Sequence, residues 1–156
     1  MIFVTIGTQA PFDRFIRIID ELAPLLKEKI IAQNFKGEYQ VKNITTIDFL
    51  PPNEFNKLLN EARLIISHAG MGSIISAMSL QKPIIIFPRK ASLGEHRYDH
   101  QIATAKKMEE LNYTYVAYDK EQLKSLLLKK DLIPLHFLKE YASQDLIRSI
   151  SEFIEK

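Results

Sequence analysis

Residues 1–7, MIFVTIG, form an unbroken apolar run that stops at a glycine, which is the pattern of a central parallel strand. A helix is predicted over 12–26, where Phe15, Ile18, Ile19, Leu22 and Leu26 share one face. A second strand is predicted over 27–35 and a third over 44–50, the latter stopped by Pro51 and Pro52. Residues 53–62 read as a helix with Asn53 as its cap and with Phe55, Leu58 and Leu59 facing inward. The alternation continues with a strand at 63–67, a helix at 72–80 and a strand at 82–88. Then come a helix at 97–111, a strand at 113–118 and a helix at 120–130. A final helix over about 137–155 follows Pro134. Strands alternating with helices imply an α/β protein with a parallel sheet covered on both faces. The run KKDLIP (129–134) is the one linker-like break, so the expected organisation is a globular unit at 1–134 and a helical arm at 135–156.

In such a sheet, ligands bind beyond the carboxyl ends of the strands, near the point where strand order reverses. Three loops follow predicted strands there: GTQAPFD (7–13), SHAGMGS (67–73) and PRKASLGEHRYDHQ (88–101). The second runs from a strand through two glycines into a helix. A helix start carries unpaired N–H groups and partial positive charge, and glycines let an anion approach the backbone, so phosphate is the first ligand to consider. The spelling is neither a dinucleotide fingerprint, since Ile75 stands where a third glycine belongs, nor a P-loop, since no Gly-Lys-Ser/Thr follows. Gly70 and Gly72 also suit a plain strand-to-helix turn, and Ser73 suits either a helix cap or a phosphate contact. His68 reads either as a packed, hydrogen-bonded histidine or as a catalytic one. His96, Asp99 and His100 resemble a zinc pattern, but one with Asp in place of Glu and no evident third ligand, so no metal is expected.

Composition narrows the setting. With 156 residues the chain is one domain by length, and 46% hydrophobic with 26% charged residues is ordinary for a soluble globular protein. A net charge of +2 gives no argument for nucleic acid. The absence of cysteine removes disulfides and thiolate metal sites, and is compatible with a reducing cytoplasm. Met1 leads straight into the first strand with no basic start, and no apolar run is long enough to span a bilayer, so neither a leader nor a membrane helix is expected.

The segments FVTIGT…PFDRFI, ARLIISHAGMGSI and KPIIIFPRKASLGEHRYDHQ, in that order and spacing, resemble the C-terminal, donor-binding half of the GT-B glycosyltransferases of family 28. The resemblance covers residues 1 to about 130 and is nearest to the small donor-binding subunits of bacterial two-component exopolysaccharide or capsule enzymes. It implies a Rossmann-like domain that binds a UDP-sugar as donor substrate, with no further cofactor. By resemblance, Thr8 reaches the diphosphate, and Gly70, Met71, Gly72 and Ser73 hold the phosphates. The loop from Pro88, with Arg89, holds the uracil. Glu95 and His96 belong to the exopolysaccharide pattern, and His100 and Gln101 read the sugar hydroxyls. Two positions depart from the family: Ser76 stands where many relatives carry a ribose-binding Glu, a role that Glu95 or Asp99 would take over, and Asn34 follows Gln33 where a glycine is common.

Transfer from UDP-sugar needs stabilisation of the leaving diphosphate, which a helix N-terminus can supply, and a base for the acceptor hydroxyl, for which His68 is the candidate. The family's acceptor half is not encoded in a chain of this length. The expectation is therefore a catalytic subunit that works with a membrane-anchored, acceptor-binding partner on a lipid-linked saccharide, peripheral at the inner face of the plasma membrane. A non-catalytic nucleotide-sugar binding subunit is the alternative. The apolar stripe of Phe137, Leu138, Tyr141, Leu146, Ile150, Phe153 and Ile154 is expected to meet that partner, or a second copy when the chain is alone.

Overall fold

A computed structural model describes residues 1–138 and 144–154. Six parallel strands form one sheet in the order β3-β2-β1-β4-β5-β6. The strands are β1 (Ile2–Thr5), β2 (Ile30–Gln33), β3 (Thr45–Ile47), β4 (Leu64–His68), β5 (Ile84–Phe87) and β6 (Tyr115–Val116). The helices are α1 (Asp13–Leu22), α2 (Pro52–Glu61), α3 (Met71–Ser79), α4 (His100–Glu110), α5 (Lys120–Leu127) and α6 (Gln144–Ile154). This is the parallel α/β architecture that the alternation of elements predicts, and the Rossmann-like fold that the resemblance implies.

The two-residue period of each strand divides the core. Ile2, Val4 and Ile6 join Leu64, Ile66, Ile85 and Phe87 on one face, where α1 contributes Phe15, Ile16 and Ile19 and α5 contributes Leu123 and Leu127. Phe3, Ile65, Ile84 and Ile86 point the other way, against Leu59 of α2, Ile74 and Met78 of α3, and Ala105 and Met108 of α4. The central strands β1, β4 and β5 are buried at every position except His68, because both faces are covered, and polar residues enter only at their carboxyl ends. β1 pairs with β2 through Ile2↔Ile30 and with β4 through Ile2↔Leu64. The chain reverses direction across the sheet between these two neighbours, so the loops after β1 and β4 flank the switch point.

Several boundaries move from their predicted places for local reasons. The first helix ends at Leu22, and Pro24 holds Ala23–Leu25 in a 3-10 turn. Pro51, not Asn53, is the N-cap of α2, with Pro52 at its first position, where the missing N–H costs nothing. The helix expected from residue 97 begins at His100, because the Asp99 carboxylate accepts from the Ala91 N–H and His96 Nδ1 lies 3.1 Å from the Tyr98 carbonyl. Residues 129–138 are less of a break than KKDLIP suggests. The Tyr115 hydroxyl donates to the Ile133 carbonyl at 3.0 Å, His136 stacks on Tyr113 at 3.8 Å, and Leu132 and Leu138 pack on opposite faces of the core. The final helix is described from Gln144; Phe137 and Leu138, expected at its start, are not helical, and Tyr141 lies outside the described residues. No residue of α6 is buried, and Ile147, Phe153 and Ile154 are exposed.

Candidate functional site

The site is assembled where β1, β4 and β5 end. β1 leaves the sheet at Gly7, whose φ of +74° belongs to the left-handed region that suits glycine. Just before it, the buried Thr5 hydroxyl donates to Gln33 Oε1 at 3.1 Å and accepts from the Gly7 N–H at 3.3 Å. β4 ends with Ser67 buried and His68 turned against both neighbouring loops. A Cβ on Gly7 would stand 3.0 Å from His68 Nε2, and one on Gly70 would overlap the same ring. Each of these glycines makes room for the histidine.

Burial pushes the His68 imidazole down to a pKa of about 4, and the positive charge of Arg89 adds to the shift. His68 is therefore neutral at pH 7, with Nδ1 3.2 Å from Ser67 Oγ. Burial thus makes His68, the candidate base, a weaker proton acceptor than a solvated imidazole. A neutral imidazole at the head of the cleft can hydrogen-bond a ligand but makes an inefficient proton acceptor.

This shift sets a pH dependence. Between the unfolded pKa near 6.5 and the folded value near 4, the unfolded chain binds the extra proton, so stability rises with pH. The contribution is complete above about pH 6.5 and declines as pH falls towards 4. Between pH 7.5 and pH 5 wild-type protein should lose about 2 kcal/mol more than His68→Gln in urea titrations. An imidazole that titrates near pH 6.5 in NMR spectra of the folded protein would contradict this.

Gln101, on the first turn of α4, joins the second loop to the third. Its Oε1 accepts from the Ala69 N–H at 3.2 Å and from the Arg89 N–H at 3.1 Å, and the residue is buried. Among the described residues its Nε2 has no partner within the chain. Arg89 is also buried, 3% exposed, which the sequence did not suggest. Its guanidinium donates to the carbonyls of Ile6, Ala10, Pro11 and Glu95, at 3.0, 2.7, 2.7 and 3.4 Å, and lies over the Phe12 ring. The Glu95 carboxylate in turn accepts from Arg14 of α1 and from the Lys90 N–H. The side chains of Arg89 and Glu95, expected as nucleotide contacts, are thus engaged by the chain itself, where they brace the loops.

The remaining predicted residues face outward or line the cleft. Thr8, Gly72, Asp99 and His100 are exposed, and Met71, Ser73 and His96 are half-buried. Gly70 is the N-cap of α3, and no side chain caps that helix, so Ser73 does not serve as its cap. A Cβ on Gly72 would meet nothing within 4 Å, so packing within the chain does not require glycine there. His100 makes edge contacts with Tyr98 and His96, at 5.4 and 6.3 Å between ring centres. Among the described residues no three of His, Cys, Asp and Glu are grouped so as to hold a metal. Arg14 and Tyr98 escaped the sequence reading; Arg14 sits in PFDRFI, but its partner is 81 residues away and no local spacing reveals it. A groove of about 480 Å³ at the β6 edge carries Glu109 and Glu121, charges that disfavour a phosphate ligand.

Three comparisons with known proteins agree with this geometry. The chain is 30% identical over 93 residues to the UDP-N-acetylglucosamine transferase subunit ALG13 of Candida albicans, covering 60% of this chain and 30% of that protein. It is 29% identical over 140 residues to the UDP-N-acetylglucosamine–N-acetylmuramyl-(pentapeptide) pyrophosphoryl-undecaprenol N-acetylglucosamine transferase of Clostridium kluyveri, covering 84% of this chain and 36% of that one. The chain thus spans about a third of the length of these curated relatives. Among solved structures, the NMR solution structure of ALG13 superposes with a TM-score of 0.62 at 20% identity, covering 96% of this chain and 93% of that one. The fold is that of one domain of a GT-B glycosyltransferase. The family described as glycosyltransferase family 28 C-terminal domain matches residues 1–155, and the chain belongs to that family.

Proposed function

We propose that this chain is the donor-binding catalytic subunit of a glycosyltransferase that uses a UDP-sugar and works with a membrane-associated partner supplying the acceptor half. The observation that carries the reading is the joining of three loops at the switch point. Gln101 ties the β4 loop to the β5 loop, Arg89 ties the β5 loop to the β1 loop, and His68 packs against glycines of the β1 and β4 loops. Beside them α3 presents the N–H groups of Met71, Gly72 and Ser73, which have no partner within the chain among the described residues. Backbone donors and the positive end of a helix favour a diphosphate.

In the proposed reaction the bond from the anomeric carbon to the β-phosphate oxygen breaks as the acceptor oxygen bonds to that carbon. UDP departs with the electron pair and the acceptor proton passes to a base. The α3 N–H groups stabilise the charge that develops on the departing diphosphate. Thr8 and Ser73 add hydroxyl donors, and the free Nε2 of Gln101, with His96, Asp99 and His100, addresses the ribose and sugar hydroxyls. In this reading His68, neutral at pH 7, offers a hydrogen bond in the cleft, and the acceptor half supplies the base. Two curated relatives named as transferase subunits support the need for a partner, and α6, with no buried residue, is the element offered to it. In this reading the partner provides the membrane contact; among the described residues no helix is long and apolar enough to cross a membrane. The exopolysaccharide or capsule setting rests on the run LGEHRYDHQ.

The test uses the open position at Gly72. Gly72→Val should fold as the wild type does, because a Cβ there meets nothing within 4 Å, yet should weaken UDP binding by about 30-fold or more, since in this reading the added methyl groups stand where the phosphates approach. Calorimetric titration of UDP with a parallel melt measures both. Unchanged affinity in a folded variant would overturn the phosphate assignment.

A further inference from the structure

Arg14 lies on α1, outside the three loops, and neither the motifs nor the family resemblance gives it a part. Its guanidinium sits over Phe87, 4.8 Å from the ring centre, and within 5.5 Å of the Phe12 ring. From this aromatic bed it meets Glu95 at two points. Nη2 donates to Oε2 at 2.9 Å, Nε donates to Oε1, and Nη2 also lies 3.5 Å from the Pro88 carbonyl. The pair is well shielded, with the Glu95 side chain 11% exposed and that of Arg14 26%. The same Glu95 carboxylate accepts from the Lys90 N–H at 2.9 Å, so one acid both closes the loop after β5 and fastens it to a helix.

We propose that Arg14 is a positioning residue for donor binding: its clasp on Glu95 presets the long loop 88–99, so that the loop and the β1 loop meet the ligand as one surface. The inference rests on the donor-site reading above. The constraint has a continuous route. Arg14 is fixed by α1 and by stacking, and it fixes the Glu95 carboxylate. The backbone of Glu95 accepts from Arg89, and Arg89 holds the carbonyls of Ile6, Ala10 and Pro11 on either side of Thr8. His96, Asp99 and His100 follow Glu95 within five residues and inherit its placement. A loop of this length would otherwise be ordered only on binding, at a cost in affinity that preorganisation removes. Arginine suits the task better than lysine, because a planar fork can stack on a ring and grip both carboxylate oxygens together.

Two measurements on the full chain test the proposal, using Arg14→Ala, Arg14→Lys, Glu95→Gln and the double variant Arg14→Ala/Glu95→Gln. Amide hydrogen exchange without ligand should quicken about tenfold across residues 88–99 in Arg14→Ala while the strands stay protected. UDP affinity by calorimetry should fall about tenfold in the same variant, and Arg14→Lys should restore less than half of the loss on a logarithmic scale. The double variant should be no worse than the poorer single one, because both changes break one pair. Unchanged exchange in 88–99 would overturn the clasp whatever UDP does. Faster exchange with unchanged UDP affinity would reduce the pair to a fold contact and overturn the positioning role. If wild-type protein bound no UDP, the donor-site reading would fall, and the positioning role with it, while the exchange data would still report on the clasp.

Discussion

An Arg89→Met variant is expected to lose about 3–5 kcal/mol of stability together with its capacity to bind UDP. Methionine has nearly the volume to fill the slot over Phe12 but no donor for the four carbonyls that the guanidinium now serves. The Ile6 contact is fully buried, and an acceptor left there without a partner bears its desolvation cost. The loop after β1 would part from the loop after β5, since Arg89 joins them through the carbonyls of Ile6, Ala10 and Pro11. Arg89→Lys should recover less than half of the loss, because one ammonium cannot span carbonyls from residues 6, 10, 11 and 95. Urea denaturation of the three proteins measures this directly. A deficit under 1 kcal/mol in Arg89→Met would show that the carbonyls find other partners and that the brace is incidental.

The second large effect falls on a single hydrogen atom. Gly70→Ala places a methyl group onto the His68 imidazole, and the ring cannot retreat freely because Gly7 bounds its other side. Either the ring leaves its pocket or the turn shifts; overpacking of this kind costs about 1–3 kcal/mol, and in both cases the start of α3 is displaced. UDP binding should fall at least tenfold. The control is the His68→Ala/Gly70→Ala double variant, in which the methyl enters vacated space, so that the second change should be close to neutral. If Gly70→Ala were as damaging without the histidine as with it, the glycine would serve the turn alone. The contrast with Gly72 is informative. Two glycines a residue apart in SHAGMGS look alike on paper, yet one yields to a neighbouring side chain and the other faces open space.

That contrast marks how far the sequence could be read. The unbroken apolar run of the first strand and the face shared by Phe15, Ile19 and Leu22 were legible because such patterns are local and the core obeys them. The three loops were legible too, since glycine and polar residues after apolar runs mark strand ends in any parallel sheet. What could not be read was which polar side chains turn inward. Arg89 and Glu95 carry the charges one would assign to a ligand, but their partners, Ile6, Ala10, Pro11 and Arg14, come from the first fifteen residues. Only the parallel pairing that sets β4 between β1 and β5 brings those groups together. The same holds for His68, whose low pKa comes from burial and from Arg89, a residue 21 positions along the chain that no motif links to it. Short elements were also overestimated. β6 has two residues where six were expected, because as an edge strand it pairs only with Ile85 and Ile86, the two middle residues of β5.

The place of β1 bears on how the chain is made. Its two neighbours enter at very different times: β2 follows 28 residues after it in register, whereas β4 follows 62 residues after it. Until Leu64–His68 emerges, a nascent chain holding β1 to β3 carries Ile2–Thr5 with one backbone edge unpaired, and that apolar edge is a template for intermolecular pairing. Substitutions that slow synthesis or weaken β4 should therefore lower the yield of soluble protein before they alter the finished fold. The candidate cleft lies over the same seam, and it is complete only once β5, Arg89 and Gln101 have followed β4 out of the ribosome.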